Sequence, residues 1–227
     1  MSRKAKLITA GVVILLFIAQ IWLPLRFSRR LKSELADKVA ADSLEVSVHS
    51  LPGFKLLGGR VDRLELESRE AVIDGLEVAR LEAAFKDLVV SKSDGWRAVE
   101  GRNSSLYLEL KEAELNRYLA AQPELAVFEE FQLDLTPGQV MLTGVVNFLS
   151  ARIRLQLEGK FEVAGPQEII FTSQQLAVEE VVIPPQVIRQ LEEKLQVRFD
   201  LADFPLPLAV KEVKVSRDRL EITGGEG

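Results

Sequence analysis

The apolar residues of this chain change their period once. Near the start they are continuous: residues 7–25, LITAGVVILLFIAQIWLPL, carry no charge, and Gln20 is the most polar of them. At about 1.5 Å per helical residue such a run crosses a hydrocarbon core of roughly 30 Å, so it predicts a membrane span. Leu31, Leu35 and Val39 then recur at four-residue spacing, which predicts that the helix continues as a stalk to about Ala41.

From Leu44 onward the period is two. Leu44, Val46 and Val48 alternate with Glu45, Ser47 and His49. After the loop LPGFKLLGG, Leu64 and Leu66 alternate with Arg63, Glu65 and Glu67. Leu76 and Val78 are out of phase with Leu81, Ala83 and Phe85, which suggests a bulge. Further strands are expected at Leu106, Leu108 and Leu110, and at Phe131, Leu133 and Leu135. The turn TPGQ leads the second of these to Val140 and Leu142. In RIRLQLEGKFEV, Ile153, Leu155, Leu157, Phe161 and Val163 share one face, and GPQ turns that strand toward Ile169 and Phe171. A closing hairpin carries Leu208, Val210, Val213, Val215, Leu220 and Ile222 on its inner face, with a bulge near Lys211 and Glu212 restoring the phase. The short connections make all pairings antiparallel.

Two helices interrupt the strands. KEAELNRYLAAQ places Leu115, Tyr118 and Leu119 on one face, and PPQVIRQLEEKL starts on Pro184 and Pro185 and carries Val187, Ile188, Leu191 and Leu195. Each helix is about 17 Å long, whereas some ten strands at about 4.8 Å spacing make a sheet about 48 Å wide. The sheet must curl around the helices, fold on itself, or leave an apolar groove that something else fills. The resulting division is an anchor over residues 1–32, a helical stalk over 33–43 and one domain over 44–225. The fold class is α+β: a strongly curved antiparallel sheet wrapped on two short helices, preceded by one transmembrane helix.

Charge refines this picture. The first 32 residues hold seven of the 29 basic residues and no acid, so the rest carries 22 basic against 34 acidic residues. A domain so acidic repels phosphate backbones, and nucleic acid is not expected as a partner. The absence of cysteine excludes disulfides and thiolate chemistry. A single histidine, His49, cannot build a histidine-based metal cluster or a triad. The carboxylate neighbours Glu129 and Glu130, Glu179 and Glu180, and Glu192 and Glu193 point apart on either a strand or a helix. Neither a phosphate-binding glycine loop nor a nucleophile elbow occurs. The expectation is a protein without cofactor or catalytic centre. The apolar run lacks a small-x-small cleavage site at its end, which favours an uncleaved anchor over a signal peptide. Basic residues flank the run on both sides, so charge does not orient it.

The order of features resembles the LmeA-like phospholipid-binding family of bacterial envelope proteins. The resemblance is carried by LLGGRVDRLELES, by SSLYLELKEAELNRYLAA and by FDLADFPLPL before the closing hairpin. It implies a curved sheet wrapped on helices like the tubular lipid-binding folds, a location outside the cytoplasm and a phospholipid or other envelope lipid as partner. The candidate lipid-binding residues are then Leu106 and Leu108, Leu115 and Leu119 on the first helix, Phe131 and Leu133, Leu155, Leu157 and Phe161, Leu191 on the second helix, and Val213 and Val215. The competing expectation is a structural or scaffolding protein of the envelope with a closed, dry core.

Overall fold

The computed structural model describes residues 20, 22–29, 32–33, 39–73, 75–91, 97–148, 151–178, 197–201 and 209–225. The second expected helix with Leu191, the proline-flanked Leu206 and Leu208, and the start of the apolar run lie outside these residues.

Eleven strands are described, and they form two antiparallel sheets. The first sheet has the order β1 (Val39–His49), β2 (Arg60–Ile73), β3 (Leu76–Ser91), β4 (Arg97–Lys111), β11 (Arg219–Gly225) and β10 (Ala209–Ser216). The second has β5 (Glu129–Thr136), β6 (Gln139–Phe148), β7 (Ala151–Gly165), β8 (Glu168–Val178) and β9 (Arg198–Asp200). Between β4 and β5 lies one helix, α1 (Glu112–Ala120). The sheet curls into a half-barrel.

One curved sheet was the expectation, and two sheets sharing one apolar core are found. The physical reason lies at the edge of β5. Its backbone groups are taken by side chains of α1 instead of by another strand: Leu135 N–H donates to the Glu112 carboxylate at 2.6 Å, and Asn116 both accepts from Leu133 N–H and donates to Leu133 C=O at 2.7 Å. An edge satisfied in this way ends the sheet. The sheets then meet at a corner. Gly138 N–H donates to Val215 C=O at 3.0 Å, Asp218 N–H to Leu135 C=O at 3.3 Å, and Val210 N–H to Pro166 C=O at 2.6 Å. Of the three ways to hide the apolar face, the chain combines two, curling as expected and folding back as a second sheet.

Three local expectations are corrected. The stalk does not remain helical to Ala41, because β1 begins at Val39, where Val39, Ala40 and Ala41 pair with Ile73, Val72 and Ala71. The fold also begins before Leu44: residues 22–29 are helical, Phe27 is buried in the core and Leu23 packs against it. The phase change near Leu81 is not a bulge between β2 and β3. Their register is unbroken there, and both strands change face together, with Ala71 opposite Val78 and Ser68 opposite Leu81. Glu70, at φ 55°, marks the bend. The closing hairpin, by contrast, does shift register between Val210 and Glu212, as expected.

Candidate functional site

The apolar interior between the sheets is built in rows across the strands. One row runs Val46, Leu66, Ala83, Leu106, Gly224 and Val210. The next runs Leu44, Ser68, Leu81, Leu108, Ile222 and Val213. In the second sheet Leu133, Leu142, Leu157 and Leu176 make a matching row. Because every side chain in such a row leaves the same face of the pleat, each sheet presents a continuous apolar band.

The structure brings eleven of the twelve expected lipid-binding residues into this one interior. Leu106, Leu108, Leu115, Leu119, Leu133, Leu155, Leu157, Phe161 and Val215 are buried, while Phe131 and Val213 are half-buried against the same core. Leu191 lies outside the described residues. Leu115 and Leu119 reach the interior because the Glu112 and Asn116 bonds fix α1 along β5, four residues apart on one side of the helix.

An aromatic group fills one part of the second sheet. Phe161 stands 5.5 Å from Phe199 and 6.0 Å from Phe171 between ring centroids, and Tyr118 of α1 stands 6.1 Å from Phe199. Gly159 makes room for it, since a Cβ at that position would fall 2.7 Å from the Phe171 ring and collide with the Thr172 carbonyl.

Polar chemistry is sparse inside. Ser68 is 3% exposed, sits in the middle of an apolar row, and its hydroxyl has no hydrogen-bond partner among the described residues. A buried hydroxyl without a partner is unfavourable by about 1–3 kcal/mol, which makes Ser68 the interior atom best placed to receive a ligand's polar group. Its inward place was legible, because Ser68 continues the alternation of Leu64 and Leu66; that its hydroxyl lacks a partner was not, since that depends on what β1 and β3 set beside it.

Outside the core, Glu77 of β3 and Glu114 of α1 share a hydrogen bond, and Arg117 lies 2.7 Å from Glu77 and 2.6 Å from Glu114. The bond from Glu77, followed by burial, holds the Glu114 carboxyl above its ordinary value. The same bond and then Arg117 hold Glu77 below its own. With Glu77 on β3 and both Glu114 and Arg117 on α1, the group ties the strand to the helix. Among the described residues there is no group of three or more His, Cys, Asp or Glu side chains arranged to hold a metal ion. Nor is any described helix long and apolar enough to cross a membrane.

Such an arrangement defines a class: an antiparallel β protein whose main feature is an apolar interior, with the hydroxyls of Ser68 and Ser104 buried without a partner among the described residues. The family model for LmeA-like phospholipid-binding proteins matches residues 18–225, and the chain belongs to that family. No curated protein and no solved structure matches the chain.

Proposed function

We propose that this protein binds a phospholipid or a related envelope lipid between its two sheets, held at the membrane by residues 7–25, with the domain outside the cytoplasm and without catalysis of its own. Membership of a phospholipid-binding family supports the reading, and the interior is the single observation that carries it. Acyl chains would replace contacts between the Leu108 and Leu133 rows, where burial is worth about 0.8 kcal/mol per CH₂. The Ser68 hydroxyl would donate to an ester carbonyl or a phosphate oxygen.

The interior is closed by its own side chains, so binding requires the sheets to part. The corner bonds of Gly138, Asp218 and Val210 hinge one side. On the other, β1 and β9 are terminal strands of their sheets among the described residues, and that side is the proposed entry. The same closure favours the second reading, a scaffold with a dry core. Uptake of a fluorescent phospholipid by the purified full chain separates the two: saturable uptake supports lipid binding, and its absence across anionic and zwitterionic lipids supports the scaffold.

A further inference from the structure

The loop between β1 and β2 is rigid and presents apolar side chains outward. It is a 3-10 turn, Gly53–Gly58, in which Gly53 and Leu56 face inward while Leu51, Phe54 and Leu57 are 73%, 55% and 62% exposed. Its shape is held at both ends. Asp62 accepts from Leu51 N–H at 2.8 Å and from the Lys55 ammonium at 2.9 Å. Gly59 closes the turn at φ 74°, its carbonyl accepts from Val90 N–H at 2.8 Å, and a Cβ there would collide with the Val90 carbonyl. Exposed large apolar residues on an ordered turn mark an interaction surface.

A second observation says what covers it. Gln20 accepts from Gly53 N–H at 2.7 Å, which ties the loop to the uncharged run. Gln20 is thirteen residues past Leu7. That is about 20 Å along a helix, short of a hydrocarbon core of roughly 30 Å. A span that starts at Leu7 therefore delivers the chain to Gln20 while still close to the membrane, and the loop bonded to Gln20 lies at the membrane-facing end of the domain, where Leu23 and Phe27 join its core. Trp22 and Leu25, both 53% exposed, belong to the same stretch, and Arg26 stacks on Trp22 at 4.1 Å, as interfacial residues do.

Charge gives a third observation. His49, Arg63, Lys86 and Arg102 are exposed and stand directly opposite one another across β1, β2, β3 and β4. Arg63, Lys86 and Arg102 are like charges in cross-strand register and repel one another, and among the described residues Arg63 pairs with Glu65. Asp87, beside Lys86, is also exposed. His49 precedes the loop by one residue and Arg63 is three residues past Arg60, about 10 Å. Four residues further along the same strands, about 13 Å away, the register brings Glu45, Glu67 and Glu82 together. Charge on this face is layered, cationic next to the loop and anionic beyond it, and a screening length of about 8 Å lets an anionic surface feel the first layer more than the second.

We propose that this end of the molecule docks on an anionic phospholipid surface, with Leu51, Phe54 and Leu57 inserted among the acyl chains and the row His49, Arg63, Lys86 and Arg102 on the headgroups. The inference rests on residues 7–25 being an anchor, and it positions the space between the sheets above the membrane from which lipid is drawn. The natural absence of cysteine makes the test direct. The full chain is reconstituted in vesicles of phosphatidylglycerol and phosphatidylcholine with one environment-sensitive label at Phe54→Cys, at Arg217→Cys in the far turn of the first sheet, or at Val13→Cys in the run. Docking gives a blue shift and quenching by spin-labelled lipid at 54 and neither at 217. In the triple variant Arg63→Glu, Lys86→Glu and Arg102→Glu, or in vesicles of phosphatidylcholine alone, the signal at 54 falls. A label at 54 that remains as wet as that at 217, while the label at 13 is quenched, overturns the docking and leaves the anchor standing. A label at 13 in water overturns the anchor and the depth argument with it. A signal at 54 indifferent to the charge reversal overturns the role of the cationic row.

Discussion

Single residues decide two features of this fold. Asn116 serves both backbone groups of Leu133, a residue buried at the edge of β5, so its side chain stands where another strand would. Asn116→Ala leaves a buried donor and acceptor unsatisfied and should lower stability by about 2 kcal/mol, read from a denaturant melt. The loss of cooperativity between the sheets would accompany it. Ser68 is the opposite case, because removing an unsatisfied hydroxyl relieves a desolvation penalty. Ser68→Ala should melt at the same temperature or higher while phospholipid uptake weakens. Unchanged uptake would show that the hydroxyl does not meet the ligand.

At the scale of elements, the loop before β2 and the closing hairpin carry the clearest expectations. Asp62 is held below its ordinary carboxyl range by the Leu51 N–H bond and by Lys55. Its charged form is the one the folded loop prefers, so the tie is fully present above the unfolded value near 3.9 and is lost as pH falls through the lower folded value. Protection of the Leu51 amide from hydrogen exchange should therefore persist from neutral pH down past the unfolded carboxyl value and be lost only as pH falls through the lower folded value, and Asp62→Asn should remove that dependence. In the hairpin, Val215 is 8% exposed and its carbonyl holds the corner with Gly138. Val215→Asp buries a carboxylate and should cost several kcal/mol, enough to unfold the domain in a thermal melt. A variant that melts normally would mean that this face is open to water. The alternating runs made most strands and this hairpin's bulge readable from the sequence, because period two and a polar turn are local signals. Strand β1 was read partly as helix because Leu31, Leu35 and Val39 keep a four-residue spacing, and only the pairing of Ala41 with Ala71 overrides it.

The whole molecule is where local signals run out. That the apolar face is hidden by a second sheet follows from which groups satisfy the edge of β5, and Glu112 and Asn116 carry no mark of that role in the sequence. The cationic row was invisible for the same reason: positions 49, 63, 86 and 102 meet only through register. The inward places of nine candidate residues were legible from alternation and those of Leu115 and Leu119 from helical spacing, yet neither period distinguishes a packed core from a ligand site. The account's central claim is that the space between the sheets takes the acyl chains. Its most direct test is photocrosslinking of the full chain with a phospholipid that carries a diazirine on one acyl chain, followed by peptide mass spectrometry. The account predicts adducts on inward residues of both sheets, Leu108 and Ile222 on one and Leu133 and Leu157 on the other, in competition with unlabelled phospholipid. Adducts confined to residues 7–25 and to Leu51, Phe54 and Leu57, with none between the sheets, would contradict it.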